Sequence, residues 1–438
     1  MPSRGCPTGT SRVLYCRVMT APPMASEFRD VTCPFCGLTC DDLTIAAAGS
    51  RLAVRENGCP IAAAAFEGEP ASTEVRPRVR GGPTSFSAAV AEAARLLRGS
   101  RQPLFAGLGT DVAGVRAVAR VAERCGGVVD HMNSAAMQRN VQVLQDTGWI
   151  TTTLSEVRNR ADLVIVAGSD VGRRFPRFFE RCIEPEATLF AERRRCEVVF
   201  LGPNPAAVQR RAPTLIPCEP ARLGEAFAIM RALLAGRPVQ GSGATGVPLS
   251  TWSGLVERLQ AARYGVVVWA AADFEFPHAE LTIQALCELI KDLNRTTRCS
   301  GLPLGGSDAD LTAESVLLWQ TGFGTRTAYG QGRPEYDPYH FSTTQLVGRG
   351  ETDLVVWVSS FSETRLPPRS GAPTIVLGRA GMAFEEEPAV FIPVGTPGVD
   401  HAGHLFRADR VVAVPLRGLR ASLLPSVAQA IDAIDAAL

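Results

Sequence analysis

Apolar residues along this chain fall into two patterns. The runs Leu104 to Leu108, Asp162 to Gly168, Glu197 to Gly202, Gly265 to Ala270, Asp353 to Ser359 and Thr374 to Gly378 are short and apolar almost throughout. Between them lie longer Ala- and Leu-rich stretches that read as helices: Ala88 to Leu97, Val112 to Arg124, Gln138 to Asp146, Leu281 to Leu293 and Leu423 to Leu438. A strand without a polar face is covered on both sides, and strands of that kind alternating with helices predict parallel sheets. Ser85 is placed to cap the first helix, and Gly126–Gly127 to end the second. The fold class is therefore α/β with mainly parallel sheets.

The same order of elements recurs after Gly236 to Val247, GRPVQGSGATGV, which has the composition of a linker. Two α/β units in tandem are expected, at 81–235 and 252–385, joined by a linker over 236–251. Residues 386–438 are expected to finish with a strand or two and a helix packed on those units. Ahead of them, Val31 to Ile45 and Arg51 to Val54 read as short strands and Ala62 to Phe66 as a small helix. This unit, 25–80, is too small to be stable without a staple. Ala71 to Pro83 reads as a linker, and residues 1–24 as a disordered tail in which Met19 and Met24 offer later starts.

Composition narrows the function. Of 438 residues 46% are hydrophobic, enough for sizeable cores, yet no apolar run reaches the length of a membrane helix. The formal net charge of +1 gives no field for a nucleic-acid backbone. Nearly all basic residues are Arg, Lys291 being the only lysine. No secretory signal is evident, and twelve cysteines in this length do not resemble a disulfide scaffold. Cys125, Cys182, Cys196, Cys218, Cys287 and Cys299 are scattered and read as small buried thiols in a reducing cytosol.

Four other cysteines form a pattern. Cys33, Cys36 and Cys40 lie in one loop with spacing C-x2-C-x3-C, and Cys59 follows after a segment long enough to fold back. Four thiolates complete a [4Fe–4S] cluster, and a triplet plus a singlet suits one better than the two CxxC pairs usual for zinc. Zinc and a metal-free remnant remain open. Gly37 frees the loop's backbone and Pro34 and Pro60 stiffen it. Asp41–Asp42, directly after Cys40, read as a surface turn that could also tune a cluster. His401 and His404 with Asp400 read as a turn rather than a metal site. Glycines after several strands, Gly107 with Gly109, Gly168, Gly202, Gly305–Gly306 and Gly378 with Gly381, stand where α/β sheets hold ligands, although Gly107, Gly109 and Gly114 miss the dinucleotide spacing.

The segments CPFCGLTCDD, ENGCPIA, NRADLVIVAGSD and FIPVGTPGVDHAGH together resemble the B-type subunit of formylmethanofuran dehydrogenase and of its bacterial relative, the formyltransferase/hydrolase complex. The resemblance implies a molybdopterin-oxidoreductase fold without the C-terminal barrel, with Cys33, Cys36, Cys40 and Cys59 as cluster ligands. In active members a cysteine or selenocysteine ligates molybdenum or tungsten in a short run after the strand ending near Asp130. Here that run is His131 to Gln138, with Ala136 and Met137 where Cys and His would stand. No cysteine occurs between Cys125 and Cys182, and no Lys or Arg stands between Pro60 and Phe66 to bridge cluster and pterin. These departures argue against molybdenum, tungsten and molybdopterin guanine dinucleotide. The reading is a non-redox, cytoplasmic interaction subunit of a formyltransferase/hydrolase complex in tetrahydromethanopterin-linked one-carbon metabolism. Its partners would be the other subunits and a methanofuran-like carrier. The alternative is a catalytic molybdenum or tungsten formylmethanofuran dehydrogenase subunit.

Overall fold

The computed structural model describes residues 26–68, 75–190, 196–202, 213–239 and 245–438. The tail over 1–24 lies outside the described residues, as do parts of the two expected linkers. Four sheets organise the rest. The first is antiparallel, Ser26–Val31, Leu43–Ala48 and Arg51–Glu56 in chain order. The second has five parallel strands in the order Thr214–Ile216, Glu197–Leu201, Leu163–Ala167, Gly265–Trp269, Cys299–Pro303.

The third sheet has nine strands. Its parallel centre runs Val128–Val129, Pro103–Gly109, Leu354–Ser359, Thr374–Gly378, Val390–Pro393. Antiparallel pieces extend both edges, Thr327–Ala328 with Glu335–Tyr336 on one and Arg78–Val79 with Gly82–Pro83 on the other. The fourth is the hairpin Gly403–Phe406 with Ala413–Leu416.

The apolar runs form strands as their pattern requires, but the tandem arrangement is replaced by an interleaved one. Val266 pairs with Val164, and Val355 with Leu104, so each large sheet draws strands from both sides of 236–251. A strand that is apolar on both faces fits any parallel neighbour, and crossover connections let neighbours come from far along the chain. The segment expected to link 71–83 also changes role, since Arg78 and Val79 pair with Phe391 and Val390.

Helices cover the sheets. Phe86–Gly99 starts where Ser85 Oγ accepts from the Ala88 amide at 3.2 Å. Val112–Cys125 ends at Gly126, whose φ of 65° suits glycine. Both pack against the C-terminal helix Val427–Ala437, opened by a capping box between Ser426 and Gln429. The helix Ser134–Asp146 begins four residues before the Gln138 expected, which brings Ala136 and Met137 into its first turn. Of the scattered cysteines, Cys182, Cys196, Cys218, Cys287 and Cys299 are buried; burial pushes the thiols of Cys182, Cys287 and Cys299 up to about 12. Among the described residues no helix is long and apolar enough to cross a membrane.

Candidate functional site

The cysteine loop leaves the strand Ser26–Val31 and closes on itself where the Cys33 amide donates to the Cys40 carbonyl at 2.8 Å. Inside it the Thr39 amide donates to the Cys36 carbonyl at 3.1 Å. Cys59 is the N-cap of the helix Pro60–Phe66, its Sγ accepting from the Ala62 amide at 3.4 Å. Cys33, Cys36 and Cys40 are buried and Cys59 is half-buried.

The four sulfurs feel one another. Burial first, then the charges of Cys40 and Cys59, push the Cys36 thiol up to about 12. Burial raises Cys40 to about 11 against the pull of Arg181 and Arg177. The Cys33 thiol is raised by burial, then by Cys36, Cys40 and Cys59. Ligand type and a shared neighbourhood therefore suit a four-thiolate centre. The arrangement is not a finished cage, because among the described residues no group of three or more His, Cys, Asp or Glu side chains is set to hold a metal ion.

Asp41 and Asp42, expected in a surface turn, tie this loop to the rest of the protein. The Arg177 guanidinium, with its side chain 6% exposed, donates to both carboxylate oxygens of Asp42 at 2.6 and 2.8 Å and to the Asn57 carbonyl at 2.7 Å. Arg181 pairs with Asp41 and Asp42 at 2.6 Å each. Burial opposes the charge on Asp42, yet the hydrogen bond from Arg177 and the charge of Arg181 outweigh it and hold the carboxyl below its ordinary value. The tie is therefore complete above about pH 4 and is lost as acid takes the carboxyl through its depressed folded value. Arg177→Met leaves Asp42 with Arg181 alone and removes the bond to the Asn57 carbonyl, and should destabilise the cysteine segment by about 2 kcal/mol. Hydrogen exchange should show residues 31–66 opening first, and at higher pH than in the unaltered chain. Unchanged protection there would refute the tie.

The turn with Asp400 and His401 braces the same loop. Asp400 accepts from Arg420 Nε at 2.7 Å and from the Thr396 amide at 2.8 Å. A Cβ on Gly398 would lie 3.2 Å from Pro34 Cγ, so this turn sits against the cysteine loop. His401 Nδ1 donates to the Ala402 carbonyl at 2.8 Å, and His404 is exposed on its hairpin strand. The pair thus serves as a turn.

The loop's far side meets Gly305–Gly306. A Cβ on Gly37 would lie 1.7 Å from the Gly305 carbonyl oxygen, and one on Gly306 would lie 2.4 Å from Gly37 Cα. Only paired glycines let the two backbones touch. The Ala408 amide donates to the Gly37 carbonyl at 2.6 Å.

Gly305 also lines a cavity of about 340 Å³. It lies beyond the carboxyl ends of Gly265–Trp269 and Cys299–Pro303, where open α/β sheets hold ligands. Ala135, Ala136 and Met137, from the first turn of Ser134–Asp146, form another wall. Of the run His131 to Gln138, where the resemblance puts a metal ligand, Met132, Asn133, Ala135, Ala136 and Met137 line this cavity, and no cysteine does.

The charged lining was missed. It comprises Arg139, Arg174, Arg365, Arg410, Glu275 and Asp310, drawn from separate segments. Arg174 pairs with Asp273 at 2.5 Å and Arg365 with Asp308 at 3.1 Å. Burial pushes the Asp310 carboxyl up to about 6, against hydrogen bonds from the Gly306 amide and Asn133. Asp308 and Ala309, at φ of 51° and 59°, hold left-handed backbone that costs non-glycine residues energy and clusters at functional sites. His131 is buried; its Nδ1 accepts from the Asn133 amide at 2.9 Å, leaving Nε2–H to donate to the Asp308 carbonyl at 3.1 Å. Burial drives its pKa down to about 3, so it is a neutral strut.

No protein-family model matches the chain. It is 28% identical over 405 residues to the B-type subunit of the tungsten-containing formylmethanofuran dehydrogenase 2 of Methanocaldococcus jannaschii, covering 89% of this chain and 93% of that one. It is 30% identical over 341 residues to the B-type subunit of the formyltransferase/hydrolase complex Fhc of Methylorubrum extorquens, covering 76% and 89%. Among solved structures it matches a chain of the formyltransferase/hydrolase complex from M. extorquens in complex with methylofuran. That match has a TM-score of 0.71 and 27% identity, over 82% of this chain and 98% of the other. Acetylene hydratase from Pelobacter acetylenicus shares the fold alone, at TM-score 0.62 and 10% identity over 94% of this chain and 69% of that one. The fold is thus mixed α/β and molybdopterin-oxidoreductase-like.

Proposed function

The chain belongs to the family of the B-type subunits of the formyltransferase/hydrolase complex and of formylmethanofuran dehydrogenase, and from that premise we propose that it is the non-redox member of a formyltransferase/hydrolase assembly. The observation that carries this reading is the cavity wall. Where the resemblance puts a metal-ligating thiolate, Ala136 and Met137 stand in a helix turn and no lining residue is a cysteine. Neither side chain can supply a soft thiolate. The neighbouring His131 is locked in backbone hydrogen bonds and stays neutral, so it supplies no replacement acid or base.

In this role the chain holds the transferase and hydrolytic subunits together in tetrahydromethanopterin-linked one-carbon oxidation, and contacts a methanofuran-like carrier. The compartment is the cytoplasm. Leu318 and Trp319, 53% and 61% exposed on Asp310–Thr321, give apolar surface for association. Pull-down of the tagged chain should return transferase and hydrolase subunits; a chain that stays alone in its own host would count against the assembly.

A [4Fe–4S] cluster on Cys33, Cys36, Cys40 and Cys59 is part of this proposal. That the four thiols lie close enough to act on one another's charge supports it. The chemistry it supplies is a multivalent cross-link that draws off the thiol protons burial retains. The cysteine unit, a small antiparallel sheet and one helix, is then stapled to the chain. Anaerobic preparations should carry about four irons per chain, and Cys36→Ser should remove most of them. Zinc, or no metal under anaerobic conditions, would refute the cluster and leave the scaffold reading standing.

The second reading, a catalytic molybdenum or tungsten subunit, is favoured by one observation: the cavity remains open despite the lost ligand. Pterin analysis separates the two.

A further inference from the structure

Thr39 stands between Leu38 and Cys40 in the cysteine loop, 4% exposed and at a φ of 43°. A β-branched residue enters that left-handed region only under strain, which glycine would relieve. Its hydroxyl oxygen is buried, yet it has no hydrogen-bond partner among the described residues. A buried hydroxyl without a partner is a second cost, and glycine would remove that one too. Strain and an unmet hydroxyl on the same residue mark a position held for its side chain, and such outliers cluster where ligands bind.

The surroundings are those of a sulfur site. The Thr39 amide donates to the Cys36 carbonyl at 3.1 Å, and the next residue is Cys40. Burial raises the Cys36 thiol and the charge of Cys40 adds to it, while hydrogen bonds from the Leu38 and Thr39 amides oppose both. The backbone of residues 38 and 39 therefore already turns donors toward that sulfur. The hydroxyl itself bonds no cysteine sulfur among the described residues, so its acceptor has to be a group lying among the thiols. The charged neighbours do not fill that place. Asp41 and Asp42, next along the chain, are engaged by Arg181 and Arg177, whose guanidiniums only donate.

We propose that the Thr39 hydroxyl donates a hydrogen bond to a sulfur of the [4Fe–4S] cluster held by Cys33, Cys36, Cys40 and Cys59. This contact rests on the cluster reading above, since without a cluster the hydroxyl has no acceptor. Hydrogen bonds to cluster sulfurs set the reduction potential. Reduction adds negative charge to the cluster, so a donor favours the reduced form and raises the potential. Loss of the hydroxyl therefore lowers it.

Anaerobic preparations of the native assembly, with the unaltered chain and with Thr39→Val, Thr39→Ser and Thr39→Gly, test the contact. Iron and sulfide are measured, and the cluster is titrated with a low-potential photoreductant under electron paramagnetic resonance. All four chains should carry about four irons. Thr39→Val keeps the shape and removes the hydroxyl, and should disfavour reduction about tenfold, a midpoint about 59 mV lower for one electron. Thr39→Ser keeps the hydroxyl and should stay within about twofold of the unaltered chain. Should Thr39→Val fail to fold, Thr39→Gly, which relieves the backbone, should show the same lowered midpoint. Four irons in every chain with one shared midpoint would overturn the contact and leave the cluster standing. A cluster that accepts no electron in the unaltered chain would overturn the contact as well. No iron in the unaltered assembly would overturn both the contact and the cluster.

Discussion

Purified with its partner subunits, denatured and oxidised, this protein is expected to release no fluorescent pterin, and the assembly is expected to oxidise no formate with viologen dyes. The expectation follows from the inner coordination shell that such chemistry requires. The resemblance puts the protein ligand of a tungsten or molybdenum centre at Ala136, and the helix turn there presents a methyl group. The segment Pro60 to Phe66, itself a helix, carries no cation toward the cavity. Arg177 and Arg181, whose charges act on Cys40, are occupied by Asp41 and Asp42. Ala136→Cys would restore a thiol but not a bridge, so it should confer no dye-linked activity. Stoichiometric pterin together with formate oxidation in the unaltered assembly would reverse the reading and make this chain the catalytic subunit. Dye-linked activity from Ala136→Cys alone would mean that a pterin pocket survives intact.

What the sequence could convey depended on how local the determining interaction was. Leu163–Ala167, Gly265–Trp269, Leu354–Ser359 and Thr374–Gly378 are strands because nearly every position in them is buried, a pattern visible in each run by itself. Ser85 caps the helix Phe86–Gly99 through a contact within three residues, and it too could be read directly. Sheet membership could not, because Val266 meets Val164 and Val355 meets Leu104 by pairings of long sequence separation. The charged cavity lining failed for the same reason. In a chain whose cations are nearly all arginine, nothing local sets Arg139 or Arg410 apart. Asp41–Asp42 read as a turn because Arg177, the partner that gives Asp42 its role, arrives from far along the chain. Part of the cavity wall could be named in advance, Ala136 and Met137 through the resemblance and Gly305 through its place after a strand, where ligands gather in α/β sheets.

Gly37→Ala should be among the most damaging single substitutions in this chain. Most large-to-small or small-to-large changes can be absorbed by rotating a flexible side chain. Here the added Cβ would stand 1.7 Å from the Gly305 carbonyl oxygen and 2.8 Å from its carbon, so the obstacle is backbone. Gly305 cannot retreat freely, because a Cβ at that position would already be 3.3 Å from the Leu311 side chain and the next residue, Gly306, is fixed at a φ of 107° with its amide on Asp310. The cysteine loop cannot retreat freely either. It is held by the Ala408 amide on the Gly37 carbonyl, by Pro34 against Gly398, and by Arg177 on Asp42. Relief by over 1 Å must break one of these contacts, and a cost of about 3 kcal/mol or more is expected, at the upper end for overpacking. The loss should show as a lowered unfolding midpoint, with proteolysis beginning in residues 31–66 while the parallel sheets stay protected. Gly49→Ala, at a turn with open space around its Cβ, is the control for added side-chain bulk and should cost far less, only the strain of its φ of 63°. If Gly37→Ala proves as mild as Gly49→Ala, the cysteine loop does not seat on the cavity wall.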